Sequence, residues 1–352
     1  MPHLARMSDH DKQKPRISDI ALLAGVGTAT VDRVLNGRPG VRSATVEKVR
    51  AAERELAASG ARPKLMQPAP AGLALRAFLG GPPGFANDNL GRCLRATARQ
   101  KGVALRLDFV KRTDVVTLAE ALLACLGDGT GGVIVQPVEH PLVRDAIGKL
   151  IAAGVPVVSV LTTLPGLTGL PYIGLDNRAA GRLAGQILGN MMGKKGKIAY
   201  FFSEAIYRSH EEREAGLRSI LREDFPAIEV VETLSTNDTP EECFRLATTL
   251  LKRFPALEGI VNFAAGNRGI ERALSDAGRG QDLCFVTFNL TALSRAALIE
   301  GRMAAVIHQD MEVIASRAVA AVIAQHRGTA PDLRPIPAEL ILRENIRDLD
   351  GE

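Results

Sequence analysis

Apolar residues recur at Ile17, Ile20, Ala21 and Ala24, the i, i+3, i+4, i+7 spacing of one buried helical face. Gly25-Val26-Gly27 breaks the stripe, and Val31, Val34 and Leu35 begin another, so this stretch reads as two short helices meeting at a glycine-bearing turn. A third helix, capped by Ser43 and reaching about Ala58, would pack Val46, Val49 and Leu56 on the first two. After Gly72 the pattern changes. Short apolar runs at Leu73–Leu79, Ala104–Val110, Gly132–Val135 and Pro156–Val160 alternate with amphipathic segments near Leu90–Lys101, Val115–Leu126 and Leu142–Ala153. A second series starts with Tyr172–Leu175 and the helix Asn177–Met192. It continues through Lys197–Phe202, Ile228–Leu234, Gly259–Phe263, Leu283–Phe288 and Ala304–Gln309. Strand runs without internal alternation, spaced by helices, predict parallel sheets covered on both faces, here in two doubly wound lobes with a crevice at the carboxyl ends of the strands.

The expected fold is therefore a small all-α headpiece joined to a two-lobed α/β body. The headpiece takes residues 15–60, the linker 61–72 and the body 73–352. Its lobes would comprise about 73–171 with 310–330 and about 172–309 with 331–352. The linker contains Pro63, Pro68 and Pro70, so a helix there ends by about Gln67. A semi-rigid proline linker accounts for the same residues.

Charge sharpens the picture. The net charge is +5, and residues 1–66 carry 12 Lys and Arg against 7 Asp and Glu, so the whole surplus lies with the paired helices and the rest is balanced. Two helices at a tight turn within a basic segment form a helix-turn-helix, whose second helix enters the DNA major groove. A plain α-hairpin in a helical core is the competing reading. It fits less well, because Arg33 and small residues stand where a core places large apolar side chains. The candidate DNA contacts are Thr28, Ala29, Thr30, Arg33 and Asn36 on the second helix, Arg16 before the first, Thr45 on the third and Leu65 in the linker. Arg33 suits a bidentate bond to guanine, Thr28 a base edge or phosphate, and Ala29 a thymine methyl.

These residues carry a family resemblance. The order Ile17-x-Asp19-Ile20-Ala21-x-x-Ala24-Gly25-Val26, then Thr30-Val31-x-Arg33-Val34-Leu35-Asn36-Gly37, Val41 and Thr45-x-x-Lys48-Val49 resembles the lactose-repressor (LacI/GalR) family of bacterial transcription regulators. Gly27, Asp32 and Arg42 depart from the hydroxyl residues usual at those places. The resemblance implies base reading by Thr28, Ala29 and Arg33, and a minor-groove wedge at Leu65 or Met66. It also implies a periplasmic-binding-protein body in which the chain crosses between lobes three times. Helix Met311–His326 would return to the first lobe and a strand near Glu339–Leu342 to the second.

Polar residues just after strand ends are the candidate effector contacts. Arg213, in Glu212-Arg-Glu-Ala-Gly216, matches the family's Arg-x-x-Gly, and its rigid fork suits vicinal hydroxyls or a carboxylate. A surface ion pair with a neighbouring Glu is the alternative. Asn262 and Asn267 would point donors and acceptors into the crevice. Asn289 stands where many members have an Asp, and Gln309 precedes Asp310 as in the family. Glu139 with His140, and Phe85, Asn87 and Asn89, are the first-lobe candidates, with helix capping the competing role for Glu139. Asp176 and Gly181 match the family's Asp-x-x-x-x-Gly, read as a helix cap.

Other chemistry is not legible. Gly189-Asn-Met-Met-Gly-Lys-Lys195 lacks the spacing of a phosphate loop, and Gly127-Asp-Gly-Thr-Gly-Gly132 precedes a strand instead of following one. No catalytic constellation, metal set or cofactor motif is expected, and Cys93, Cys125, Cys243 and Cys284 read as reduced thiols. Without a signal-like or membrane-spanning run the protein is expected in the cytoplasm. The expectation is a homodimeric or tetrameric DNA-binding repressor controlled by a small polar metabolite, a sugar or polyol. The alternatives are a sugar-binding transport protein with no DNA role, and a sugar- or nucleotide-processing enzyme.

Overall fold

The computed structural model describes residues 17–24, 26–59, 70, 72–81, 87–203 and 207–346. Arg16, Leu65 and Phe85 lie outside the described residues, as do the side chains of Thr28, Ala29 and Leu56. The chain divides into two units, residues 1–69 and 70–352.

In the first unit α1 (Ile17–Ala24), α2 (Thr28–Leu35) and α3 (Ser43–Ser59) enclose Ile20, Ala21, Val31, Val34, Val49 and Ala52. These are the residues of the predicted stripes, with Val26 packed against them from the turn. The Val26 N–H donates to the Ala21 carbonyl at 3.0 Å, and the Gly27 carbonyl accepts from Thr30 and Val31, so the second helix starts directly after the turn. One detail differs from expectation. The Arg42 carbonyl accepts from both Thr45 and Val46, so Arg42 is the cap residue and Ser43 already lies inside α3.

The first lobe of the body holds β1 (Ala74–Gly80), α4 (Asn87–Lys101), β2 (Ala104–Val110), α5 (Val115–Ala124), β3 (Gly132–Val135), α6 (Pro141–Ala152), β4 (Val157–Val160) and β5 (Tyr172–Ile173). Its sheet runs β2-β1-β3-β4-β5, all parallel. The second lobe holds α7 (Asn177–Met191), β6 (Lys195–Ser203), α8 (Arg208–Asp224), β7 (Ala227–Thr236), α9 (Pro240–Arg253), β8 (Gly259–Asn262), α10 (Asn267–Asp276), β9 (Cys284–Phe288), α11 (Ala292–Ile299) and β10 (Ala305–His308). The chain then returns to the first lobe as α12 (Met311–His326), which packs on α4, β3 and β4, with Val322 against the bare Cα face of Gly132. It ends as β11 (Glu339–Ile341), antiparallel to β10.

β3 and β4 are buried along their whole length, which is why they appear in sequence as uninterrupted apolar runs. The expected start of the second series at Tyr172 is corrected. Ser159 and Val160 pair with Tyr172 and Ile173, so that segment is the edge of the first sheet and the second lobe begins with α7. Two residues are too few to show any periodicity.

In both sheets the order of the strands reverses, between β1 and β3 in one lobe and between β6 and β8 in the other. In open α/β sheets such reversals leave a crevice beyond the carboxyl ends of the strands.

Candidate DNA interface and effector crevice

On the headpiece Thr30, Arg33 and Thr45 line one open concavity of about 640 Å3 together with Val26, Gly27, Gly40, Val41 and Arg42. Arg33 is exposed and forms no ion pair with a described residue. Arg42, which the family comparison marked only as a departure, adds a second cation to the same wall. Asp32 is neutralised locally: Asn36 Nδ2 donates to it at 2.7 Å and Arg38 pairs with it at 3.1 Å. The Arg38 pair offsets the acid's charge beside the DNA-facing helix, and Asn36, exposed, keeps its Oδ1 and a second N–H beyond the bond to Asp32.

In the body, Arg213 sits on α8, 4 % exposed. Its Nε donates to Asn177 Oδ1 at 2.9 Å, and its guanidinium lies 4.3 Å over the Phe288 ring. Burial lowers it to about 10. Asn177 opens α7 and donates in turn to the Tyr172 hydroxyl at 2.9 Å, so the arginine is tethered to the crossover between lobes. No neighbouring Glu takes it: Glu212 pairs with Arg208, and Glu214 with Arg218 and the Tyr200 hydroxyl. Asp176 caps α7 by accepting from Ala179, as expected.

The position depends on two glycines. A Cβ at Gly181 would lie 2.0 Å from the Arg213 carbonyl oxygen, and one at Gly216 would lie 2.1 Å from the Arg178 oxygen. Both motif glycines thus serve the close crossing of α7 and α8.

Around the ends of β8, β9 and β10 the sequence candidates separate. Asn289 holds a left-handed backbone at φ 67° and its Oδ1 accepts from Gln309 Nε2 at 2.9 Å. Gln309 is 4 % exposed, and its Oε1 has no partner among the described residues. Asn267 accepts from Asn262 and Thr287, leaving its amide donor unused among the described residues. Asn262 is corrected: fully buried, it donates to Ala265 and Asn267 and accepts from Ala264, which shapes the loop and leaves no donor for the crevice. On the first lobe, Glu139 is exposed and paired with Arg144 at 2.6 Å. It does not cap α6 either; His140 Nδ1 accepts from Leu142 in that role. Asn89 turns to its own helix, accepting from Arg92 and Cys93. Asn87, the other candidate of that loop, reaches the β1–β3 reversal, donating to Gly80 and Gln136.

Several groups at the crevice carried no sequence signal because their partners come from the other lobe. Arg112, after β2, forms an ion pair with Asp238, after β7. Asp238 also accepts from the Ser203 hydroxyl and the Ala265 N–H. Tyr207 enters the first-lobe apolar cluster containing Phe78 and Val138, its hydroxyl where a Cβ on Gly80 would be. The Thr162 hydroxyl accepts from the Ser209 N–H at 3.2 Å. Beside these contacts lies a small cavity of about 10 Å3, lined by Phe78, Gly80, Arg112 and Gln136.

His210 accepts from the Ser203 N–H at 3.3 Å. Burial, reinforced by the charges of Arg213 and Arg112, pushes its imidazole from an ordinary 6.5 down to about 3. The folded chain therefore keeps it neutral where the unfolded chain protonates, and stability falls as pH drops from about 6.5 toward 3. His210→Gln retains an acceptor for Ser203 and should flatten that acid loss, read as the change in urea midpoint between pH 7 and pH 5. An unchanged slope would exclude this histidine as a source.

Two doubly wound lobes that meet at the carboxyl ends of their strands define a bilobal ligand-binding body. Residues 83–330 match the family model described as periplasmic binding protein domain, and residues 16–57 match that of the bacterial regulatory proteins, lacI family. The chain belongs to the LacI/GalR family and is a DNA-binding transcriptional regulator. Among curated proteins it is similar to the D-ribose/D-allose-binding protein of Pseudomonas aeruginosa, 23 % identical over 61 % of this chain and 70 % of that protein. Among solved structures, a periplasmic solute binding protein from Actinobacillus succinogenes with bound D-allose shares the fold at TM-score 0.70 and 19 % identity, over 77 % of this chain and 98 % of that one. A glucose-galactose binding protein from Geobacillus stearothermophilus does so at TM-score 0.71 and 20 % identity, over 78 % and 98 %. The matched families are regulators and binding proteins. No helix among the described residues is long and apolar enough to cross a membrane.

Proposed function

We propose that the protein is a cytoplasmic, homodimeric repressor whose grip on a two-fold operator is set by a monosaccharide-sized polar effector between the lobes. The observation that carries this reading is the unfilled hydrogen-bonding capacity of Arg213 and Gln309, both almost fully buried at the crevice and both left with free polar atoms among the described residues. Similarity to proteins named for ribose, allose, glucose and galactose supports the ligand class. The body binds and does not transform: the ligand's preference for one lobe separation is transmitted to the paired headpieces as a change in DNA affinity. A small headpiece reads a short site, so two copies on a palindrome supply the length of sequence a specific operator needs.

Fluorescence anisotropy with the DNA upstream of its own gene, across a salt series and a monosaccharide panel, tests this directly. Tight, salt-dependent binding that one ligand class alters is expected. Failure to distinguish that DNA from random sequence would overturn the reading. Within it, Arg33→Ala should cost about 1–3 kcal/mol on the operator and much less on random DNA. Equal loss on both would reduce Arg33 to a phosphate contact.

A further inference from the structure

We infer that the effector is a hydroxylated monocarboxylate of monosaccharide size, a sugar acid, with its carboxylate held by the two Nη groups of Arg213. This rests on the reading of the crevice as the effector site and narrows it.

The first argument is charge. Arg213 is 4 % exposed, and its contacts are the Asn177 amide oxygen at Nε and the Phe288 ring below. Among the described residues no carboxylate pairs with it. A buried unpaired cation is costly, and an anionic partner removes the cost where a hydroxyl removes little of it. The acid of the same wall, Asp238, is already taken by Arg112, the Ser203 hydroxyl and the Ala265 N–H. His210 is buried beside these arginines and serves as an acceptor for Ser203, and Glu212, which acts on Arg213 through space, is itself ion-paired with Arg208, so no carboxylate bonds the guanidinium directly.

The second argument is the imbalance of donors and acceptors. Arg213 Nη1 and Nη2, Asn267 Nδ2 and Asn289 Nδ2 donate to no described residue, because each amide's bonding is through its oxygen. Against these, among the described residues of the site, stands the buried acceptor Gln309 Oε1 without a partner. A neutral sugar brings hydroxyls that each donate as well as accept. A carboxylate only accepts, and matches the end-on fork of a guanidinium whose Nε is tied back. The lone acceptor still requires a proton from the ligand, which a hydroxyl on the same molecule supplies. One guanidinium with no directly bonded carboxylate matches one negative charge, and the nearby Glu212 disfavours a second, which favours a carboxylate over a phosphate dianion.

Calorimetric titration of the full-length protein with D-gluconate, D-galactonate and D-arabinonate, each beside D-glucose, D-galactose or D-arabinose, and with glucose 6-phosphate, tests this. At least one acid should bind about tenfold or more tighter than its parent sugar. Arg213→Gln removes the charge but keeps an amide donor, and should weaken that acid about tenfold more than it weakens the parent sugar. A parent sugar that binds as tightly as its acid, or equal losses of acid and sugar in Arg213→Gln, overturns the inference and leaves the crevice as effector site. Glucose 6-phosphate outbinding every carboxylate overturns the monocarboxylate. Silence from the whole panel overturns the effector reading as well.

Discussion

Arg213→Ala should abolish the effector response while leaving the body folded. Truncating one partner of a buried, charge-assisted contact costs about 2–5 kcal/mol of binding, enough to carry a micromolar ligand beyond working concentrations. The stability change is expected to be smaller. The alanine forfeits packing on Phe288 and the bond to Asn177, yet it also removes a guanidinium that burial holds at about 10 without a paired carboxylate. Melting temperature of the ligand-free variant, measured beside its calorimetric titration, separates the two effects. A variant that still changes DNA affinity with ligand would remove Arg213 from the site.

Gly181→Ala attacks the same arginine from behind. The new Cβ would meet the Arg213 carbonyl oxygen at 2.0 Å, its carbonyl carbon at 2.6 Å and its Cα at 2.7 Å, and all three are backbone. No rotamer change relieves that contact, so α7 and α8 must separate. Overpacking commonly costs 1–3 kcal/mol, and with rigid atoms on both sides about 3 kcal/mol or more is expected. Scanning calorimetry should show the melting temperature fall by several degrees. Because the displaced residue bears the guanidinium, effector affinity should drop as well. A fully stable Gly181→Ala protein would mean that the helix crossing is looser than described.

Periodicity made the architecture legible because the same burial that stabilises each element wrote its pattern. Ile20, Val31 and Val49 mark the headpiece core by helical spacing, and β3 and β4 by unbroken apolar runs. The edge strand at Tyr172 escaped, since register with β4 rather than composition defines it. Arg213 and Gln309, the proposed effector contacts, are brought forward by family motifs. Asn262, Glu139 and Asn89 were misplaced for one reason: residue type shows bonding capacity and not whether a neighbour has consumed it, as Asn267, Arg144 and Cys93 do here. Arg112, Asp238 and Tyr207 carried no signal, because each acquires its role only when a loop of one lobe meets the other.

Tyr207 has a practical consequence. The chain contains no tryptophan and three tyrosines, and all of them belong to the body: Tyr172 at the crossover, Tyr200 against Glu214, and Tyr207 lodged in the opposite lobe. Intrinsic ultraviolet emission is therefore a label-free optical gauge of that half of the molecule. The headpiece, which has no tyrosine, is spectroscopically dark. When Tyr207 moves from an apolar socket into water, the signal should change as the jaws swing, with no dye or engineered probe attached.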